Sequence, residues 1–274
     1  ERETAIASIT DCITSLAQSG KVLLLSGEAG IGKTTLLEHV RMHANAGSDV
    51  HWLGCDPLFT PRPYAPIYDF AQVVSASLLA DLDTGATPSK IVGGFYQALS
   101  ELAKPAILII EDLHWADHAS LDLLKYVVRR ISFLPCVLCL SYRDDEVTSD
   151  HPLSSLLALV PSAHTVRVHL DQLSESAVSK LSKNSGYNPE TLYKITAGNP
   201  FFVAELLANS DFDAQAVPAS IREAVSSRVS DLGESERALL NVLSLIPYGI
   251  PVILIRALFD DNGESFAMAC VARK

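Results

Sequence analysis

The amino-acid sequence predicts an α/β fold in which helices flank a five-stranded parallel sheet, followed by an all-helical part. Five short apolar or alternating runs have the length of strands, and stretches with helical periodicity separate them. A glycine-rich turn joins the first run to the helix after it. No strand pattern follows about residue 173. Alternating strands and helices are typical of a parallel sheet covered on both faces.

The predicted strands differ in polarity, and this difference predicts which of them lie at the edges of the sheet. The first, third and fourth strands, about residues 22–25, 106–110 and 136–140, are almost entirely apolar, as strands buried on both faces should be. The second and fifth, residues 50–54 and 165–170, contain polar side chains and are predicted to lie at the edges. A parallel sheet with the order 5-1-4-3-2 has this property.

Helical periodicity divides the rest of the chain. One helix precedes the first strand, and the others connect the strands at about residues 33–46, 67–82, 89–102, 120–131 and 152–159. Further helical segments cover about residues 174–183, 189–197, 200–209, 219–232 and 235–246. We therefore predict a core over residues 1–172, a second, helical part over 173–217 and a third part over 218–274.

Composition restricts the classes of function. The 274 residues are 48% hydrophobic, enough for one large or two ordinary cores. The net charge of −11 argues against direct nucleic-acid binding by this portion, because phosphate contacts need Lys and Arg. No apolar run approaches the ~20 residues that a membrane helix needs. We expect a cytoplasmic protein without membrane association, whose five cysteines are reduced.

The glycine-rich turn fits the phosphate-binding pattern G-x-x-x-x-G-K-[ST] through Gly27, Gly32, Lys33 and Thr34. Its glycines allow backbone N–H groups to turn toward phosphate oxygens, and the following helix adds its own N-terminal N–H groups. Lys33 is expected to reach the β and γ phosphates, and Thr34 to place its hydroxyl on Mg²⁺. The residues predicted to bind the nucleotide here are Gly27, Glu28, Ala29, Gly30, Ile31, Gly32, Lys33, Thr34 and Thr35.

Two carboxylates, Glu111 and Asp112, end the third predicted strand. In a parallel sheet the carboxyl ends of the strands border the cleft that the phosphate-binding loop also borders. We predict that Glu111 belongs to the shell of Mg²⁺, through water, and that Asp112 orients or deprotonates the attacking water. Because Glu precedes Asp here, the division of these roles is open. The structural alternative is that the pair caps the following helix.

Arg143 follows the fourth strand, which is adjacent to the third in the predicted order. Its guanidinium is placed to lie near the γ phosphate and to sense hydrolysis. A surface ion pair with Asp144 or Asp145 is the alternative. The base-reading motif of GTPases, [NT]-K-x-D, does not occur in the sequence, which favours ATP over GTP.

These motifs resemble those of the STAND class of signal-transduction ATPases, and within it the large ATP-binding regulators of the LuxR type. Residues 27–34 resemble their Walker A motif, 111–117 their extended Walker B and 142–146 their sensor segment. Residues 198–206 are similar to the G-x-P motif of their helical lid, and residues 218–228 to the start of their winged-helix subdomain. The order 5-1-4-3-2 is that of the AAA+-like branch of P-loop NTPases.

The resemblance implies an ATP-driven switch that hydrolyses ATP slowly to ADP and phosphate. ADP favours a closed monomer, whereas ATP and an unknown inducer or partner protein favour an open form that self-associates. Pro200 of the G-x-P motif is implied to contact the nucleotide near the adenine. Arg2 is a second adenine-site candidate, because family members often begin Gly-Arg-Glu where this chain has Glu1-Arg2-Glu3.

The output of the switch is not fixed by these residues. The resemblance implies a transcriptional activator whose DNA-binding domain lies outside this chain, and the chain is expected to be a fragment. The same module also precedes nucleotide-cyclase and kinase domains. A rapidly cycling AAA+-type ATPase, such as a loader or remodeller, is a separate alternative. A scaffold that never hydrolyses ATP is disfavoured by the presence of Asp112.

Overall fold

A computed structural model divides the chain into two compact units, Glu1–Gln172 and Leu173–Lys274. It describes residues 1–14, 19–44, 48–57, 62–208, 232–244, 252–259 and 262–272, together with isolated positions between 222 and 229. Among these residues, no helix is long and apolar enough to cross a membrane.

The first unit is built on a five-stranded parallel sheet. Its strands are β1 (Lys21–Ser26), β2 (Asp49–Gly54), β3 (Ala106–Glu111), β4 (Cys136–Tyr142) and β5 (Thr165–His169). The observed order, β2-β3-β4-β1-β5, is the predicted order counted from the other edge. The apolar strands β1, β3 and β4 lie inside the sheet and are buried on both faces, which confirms the argument from polarity.

The parallel register brings the carboxyl ends of the central strands to one edge. Ser26 at the end of β1 pairs with Tyr142 at the end of β4, and Ile110 of β3 pairs with Leu140 of β4. The loop after β1, the carboxylates after Ile110 and the segment after Tyr142 therefore leave the sheet on the same side.

The α-helices of the first unit, among the residues that are described, are α1 (Glu3–Thr14), α2 (Lys33–His43), α3 (Ala65–Val74), α4 (Ala76–Asp83), α5 (Pro88–Ser100), α6 (His118–Val128) and α7 (Pro152–Leu159). One face of the sheet packs against α1 and α2, and the opposite face packs against α3 to α7. The alternation of side chains along β1, β3 and β4 supplies apolar residues to both layers.

Several element boundaries differ from the prediction. The helix predicted over residues 67–82 is two helices, because Ser75 has an extended backbone and its side chain accepts the N–H of Leu78 to cap α4. The helix predicted from residue 120 begins at His118 and ends at Val128. Strand β4 continues through Tyr142, two residues beyond its predicted end.

The second unit is helical throughout the residues that are described. Its helices are α8 (Glu175–Leu181), α9 (Pro189–Thr196), α10 (Pro200–Ala208), α11 (Glu234–Ser244), α12 (Val252–Phe259) and α13 (Gly263–Ala272). Val178, Leu192 and Val203 form a small core between the first three. The winged-helix motif predicted over residues 218–228 falls largely outside the described residues, and the division of this unit at residue 217 stays a prediction.

The five cysteines, all among the described residues, form no disulfide bonds. Cys12, Cys55, Cys136 and Cys139 are buried, whereas Cys270 is partly exposed. Burial raises the pKa of the Cys136 thiol to about 12, so this thiol stays protonated and unreactive at neutral pH.

Candidate functional site

The loop between β1 and α2 has the backbone that its glycines permit. Gly27 has a φ of 145° and Gly32 a φ of 99°. A Cβ added to Gly27 would lie 2.7 Å from the carbonyl oxygen of Leu170, so the loop can close against the end of β5 only with glycine there. Gly32 directly precedes α2, whose first N–H groups lack partners within the helix.

Lys33 lies inside this loop. It is 7% exposed, and its Nζ donates to the carbonyl oxygens of Gly27 at 2.6 Å and Glu28 at 2.8 Å. Burial, and then the positive charge of Arg143, lower the pKa of Lys33, while the carboxylate of Asp112 acts in the opposite direction. The ammonium is therefore held by two uncharged backbone carbonyl oxygens in the loop, which phosphate oxygens can replace.

Thr34 and Glu111 connect the start of α2 to the end of β3. The Thr34 hydroxyl donates to Oε1 of Glu111. These are the two residues predicted to serve Mg²⁺, and a hydroxyl and a carboxylate are oxygen ligands that suit this ion. No group of three or more His, Cys, Asp or Glu side chains in the described ranges could hold a metal. A magnesium ion here would depend on the nucleotide phosphates and water for its remaining ligands.

Asp112 has an unusual backbone. Its φ is 54°, which is uncommon outside glycine, and its N–H donates to Oγ of Ser141 on β4 at 3.2 Å. Burial raises the pKa of Asp112, and the nearby guanidinium of Arg143 opposes this rise. The side chain is thus a half-buried carboxylate at the sheet edge, near both cations of the site.

The alternative in which Glu111 and Asp112 cap the following helix is not observed. Asp117 caps α6, because its Oδ1 accepts the N–H of Ser120 at 2.9 Å and that of Tyr64 at 3.1 Å. The structure therefore leaves the two strand-end carboxylates available for another task.

Arg143 follows β4 and pairs with Glu146. Its Nη1 lies 2.6 Å from Oε1 of Glu146, whereas Asp144 contacts His169 at 3.2 Å. The predicted alternative of an ion pair with Asp144 or Asp145 is wrong in its partner. Glu146 was not predicted as the partner of Arg143, because this contact depends on how the chain turns after β4.

His114 and Trp115 lie in the segment that follows the two strand-end carboxylates, and neither was among the predicted site residues. His114 is 5% exposed, yet its Nδ1 accepts the backbone N–H of Arg143 at 3.4 Å. The Arg143 guanidinium carbon lies 4.7 Å from the centre of the Trp115 ring. Both residues therefore contact the sensor candidate. The feature in the sequence that could have indicated this role is the position of His114, a polar residue two positions after Asp112.

Arg2 and Pro200 were the two adenine-site candidates. Arg2 donates through Nη2 to the carbonyl oxygen of Ile31 at 3.0 Å, so it contacts the phosphate-binding loop directly. Burial lowers its pKa, and Asp171 opposes this shift. Pro200 begins α10 in the second unit. The adenine role of each stays a prediction.

Comparison with known proteins gives a family and a curated relative. The family described as the AAA ATPase domain matches residues 1–140. An uncharacterized protein of Rhizobium meliloti (strain 1021) is 24% identical over 315 residues, which cover 91% of this chain and 30% of that protein. The chain thus spans less than a third of its curated relative.

Three solved structures share the fold. A STAND protein with a tetratricopeptide repeat sensor from Pyrococcus horikoshii has a TM-score of 0.50 at 21% identity, covering 100% of this chain and 38% of that one. The Orc1 protein of Aeropyrum pernix, solved in complex with DNA, has a TM-score of 0.55 at 14% identity, covering 90% of this chain and 72% of that one. A Walker-type ATPase of Pyrococcus abyssi has a TM-score of 0.52 at 14% identity, covering 96% of this chain and 88% of that one.

Proposed function

The chain belongs to the AAA ATPase domain family, and we propose that it is the nucleotide-dependent switch module of a larger signal-transduction protein. In this proposal it binds ATP with Mg²⁺ and hydrolyses it slowly to ADP and phosphate. ADP maintains a resting monomer, and ATP together with an inducer favours a self-associating form. The output is the activation of transcription by a DNA-binding domain outside this chain.

The contact between Thr34 and Glu111 is the observation that carries the proposal. It joins the first turn after the phosphate-binding loop to the end of β3. Lys33 lies in the same loop, and Asp112 is the next residue along the chain. One sheet edge thereby gathers a phosphate-binding cation, a hydroxyl and two carboxylates. Magnesium-dependent phosphoryl transfer to water needs this set of groups.

The residues predicted to act in hydrolysis support an ATPase. The resemblance of residues 111–117 and 198–206 to the extended Walker B and G-x-P motifs of STAND ATPases supports a switch. The net charge of −11 supports placing DNA binding in another part of the protein. A rapidly cycling loader or remodeller would use the same groups and would differ in how fast ADP leaves. The retention of ADP therefore separates the two functions.

The nucleotide that copurifies with the protein tests this proposal. The protein is purified without added nucleotide and denatured, and the supernatant is run on an anion-exchange column beside nucleotide standards. We expect stoichiometric ADP from the wild type and none from Lys33→Ala prepared in parallel. An empty wild type that turns over ATP rapidly would instead favour the cycling ATPase.

A further inference from the structure

Arg143 is fixed at three points. Its backbone N–H donates to Nδ1 of His114 at 3.4 Å, and its Nη1 lies 2.6 Å from Oε1 of Glu146. The central carbon of its guanidinium lies over the Trp115 ring, 4.7 Å from the ring centre. The ring centres of His114 and Trp115 are 4.6 Å apart. These contacts restrict the position of the guanidinium.

The second carboxylate oxygen of Glu146 lies beside the same histidine. Oε2 of Glu146 is 3.4 Å from Nε2 of His114, a buried atom that makes no aligned hydrogen bond within the described residues. Because Nδ1 of His114 accepts a hydrogen bond, the proton of the neutral ring is on Nε2, which lies close to Oε2 of Glu146 without forming an aligned hydrogen bond. The Glu146 carboxylate therefore lies between the Arg143 guanidinium and the His114 ring.

The His114 ring is neutral at physiological pH. Burial, followed by the positive charges of Arg143 and Lys33, lowers its pKa to about 3. Its approach to Glu146 is thus that of a neutral donor to a carboxylate rather than an ion pair. A neutral ring can restrain Glu146 without competing for its charge, which remains available to Arg143.

We propose that Glu146 and His114 are positioning residues that hold Arg143 in the orientation in which it distinguishes ATP from ADP. This inference rests on the proposed function, since it assumes that the site binds both nucleotides. Arg143 uses Nη1 for Glu146, and a planar guanidinium has further N–H donors that can meet a γ phosphate. A side chain that is already oriented loses less rotamer freedom when the phosphate binds.

The two possible effects of Glu146 on the γ phosphate have opposite signs. As a negative charge near the site, Glu146 would repel ATP more than ADP, and its removal would strengthen the preference for ATP. As a positioning residue, its removal weakens that preference because Arg143 is no longer held. Replacing Glu146 by a neutral residue of similar shape therefore separates positioning from general electrostatics.

The test is a double-mutant cycle on nucleotide selectivity. Calorimetry with Mg²⁺ gives the dissociation constants of ADP and of a non-hydrolysable ATP analogue for wild type, Arg143→Ala, Glu146→Gln and the double variant. We expect the ratio of the ADP constant to the analogue constant to fall by about threefold to tenfold in each single variant. The double variant should match Arg143→Ala, because Glu146 acts through Arg143. ADP affinity should stay as in the wild type.

Asp144→Asn is the matched control. It removes the same charge from the same segment, but Asp144 contacts His169 rather than Arg143. This variant should leave the ratio unchanged or raise it. His114→Asn keeps an acceptor near the Nδ1 position and is too short to reach Glu146, so it should lower the ratio as Glu146→Gln does. Thermal unfolding of each variant excludes loss of the fold.

Three results would overturn the inference while the proposed function stands: an unchanged or raised ratio in Glu146→Gln, additive effects in the double variant, or an unchanged ratio in Arg143→Ala. Failure of the wild type to bind either nucleotide would instead overturn the proposed function, and the positioning role with it. The two failures are therefore distinguishable in one series of titrations.

Discussion

Lys33 brings a buried positive charge into a loop made mostly of backbone groups. We predict that Lys33→Ala abolishes nucleotide binding, because the phosphates lose their main cationic partner and the loop contains no replacement. A loss of at least about a hundredfold in ATP affinity is expected for a buried charged contact. Calorimetry measures it, with Lys90→Ala as the control, since Lys90 is exposed and pairs with Asp81. Unchanged affinity in Lys33→Ala would refute the phosphate-loop assignment.

Asp112 is the candidate for orienting or deprotonating the attacking water. We predict that Asp112→Asn retains ATP but slows hydrolysis by about 10²–10⁴-fold, the usual contribution of a general base. Asn tolerates the left-handed backbone of this position, so the fold should be kept. Single-turnover phosphate release measures the rate. If Asp112→Asn hydrolyses ATP at the wild-type rate and Glu111→Gln does not, Glu111 is the base.

His114 makes the stability of the fold depend on pH. In the unfolded chain this residue takes up a proton below about pH 6.5, whereas burial lowers its pKa to about 3 in the folded protein. The unfolded state therefore binds more protons between these values, and the free energy of unfolding falls as the pH falls through this interval. The loss is at most about 4 to 5 kcal/mol.

Urea unfolding between pH 7 and pH 4 tests this dependence. We expect His114→Asn, which cannot be protonated, to lose less stability over this range than the wild type loses. The comparison uses the slope with pH, so a constant destabilisation by the substitution does not affect it. Equal slopes would show that His114 is not the group responsible.

At the scale of elements, the division into interior and edge strands followed from polarity, because burial on both faces leaves a clear pattern. The apolar runs of β1, β3 and β4 could lie only inside the sheet, and the polar side chains of β2 and β5 suited the edges. Lys33 and Thr34 were predicted from the glycine-rich motif, and Glu111 was predicted from the common edge at which parallel strands end.

The features that were not predicted depend on a single capping side chain or on contacts between residues that are distant in the sequence. The break at Ser75 needs one hydroxyl to accept the N–H of Leu78, which periodicity cannot reveal. The contact of Arg143 with His114 arises only when β3 and β4 lie together. Contacts of this kind are set by tertiary structure, and a pattern along one strand does not contain them.

Position 198, in the turn between α9 and α10, should tolerate no side chain. Gly198 has a φ of 76°, and an added Cβ would lie 2.2 Å from the carbonyl oxygen of Leu173. Gly186 has a φ of 80° but nothing within 4 Å. We predict that Ala at either position costs about 1–2 kcal/mol of backbone strain, and that Gly198→Ala costs about 1–3 kcal/mol more because of the close contact. Denaturant unfolding of the two variants measures the difference, and equal costs would contradict the steric explanation.

At the scale of the whole molecule, the net charge of each chain opposes the self-association that the proposed function includes. Each chain carries a net charge of −11, so two copies repel one another at long range. The γ phosphate adds negative charge, and an ATP-driven association must therefore come from a rearranged surface rather than from electrostatic attraction. Salt screens the repulsion, with a Debye length of about 30 Å at 0.01 M and about 8 Å at 0.15 M.

We predict that the protein self-associates with Mg²⁺ and a non-hydrolysable ATP analogue, stays monomeric with ADP, and associates more strongly at about 0.15 M than at about 0.01 M salt. Light scattering coupled to size-exclusion chromatography measures the mass in each condition. Lys33→Ala should stay monomeric with either nucleotide, because it cannot bind the γ phosphate. Association that is equal with ADP and with the analogue would contradict the switch. Association that weakens as salt is added would show that opposite charges on the two surfaces drive it, despite the net charge of each chain.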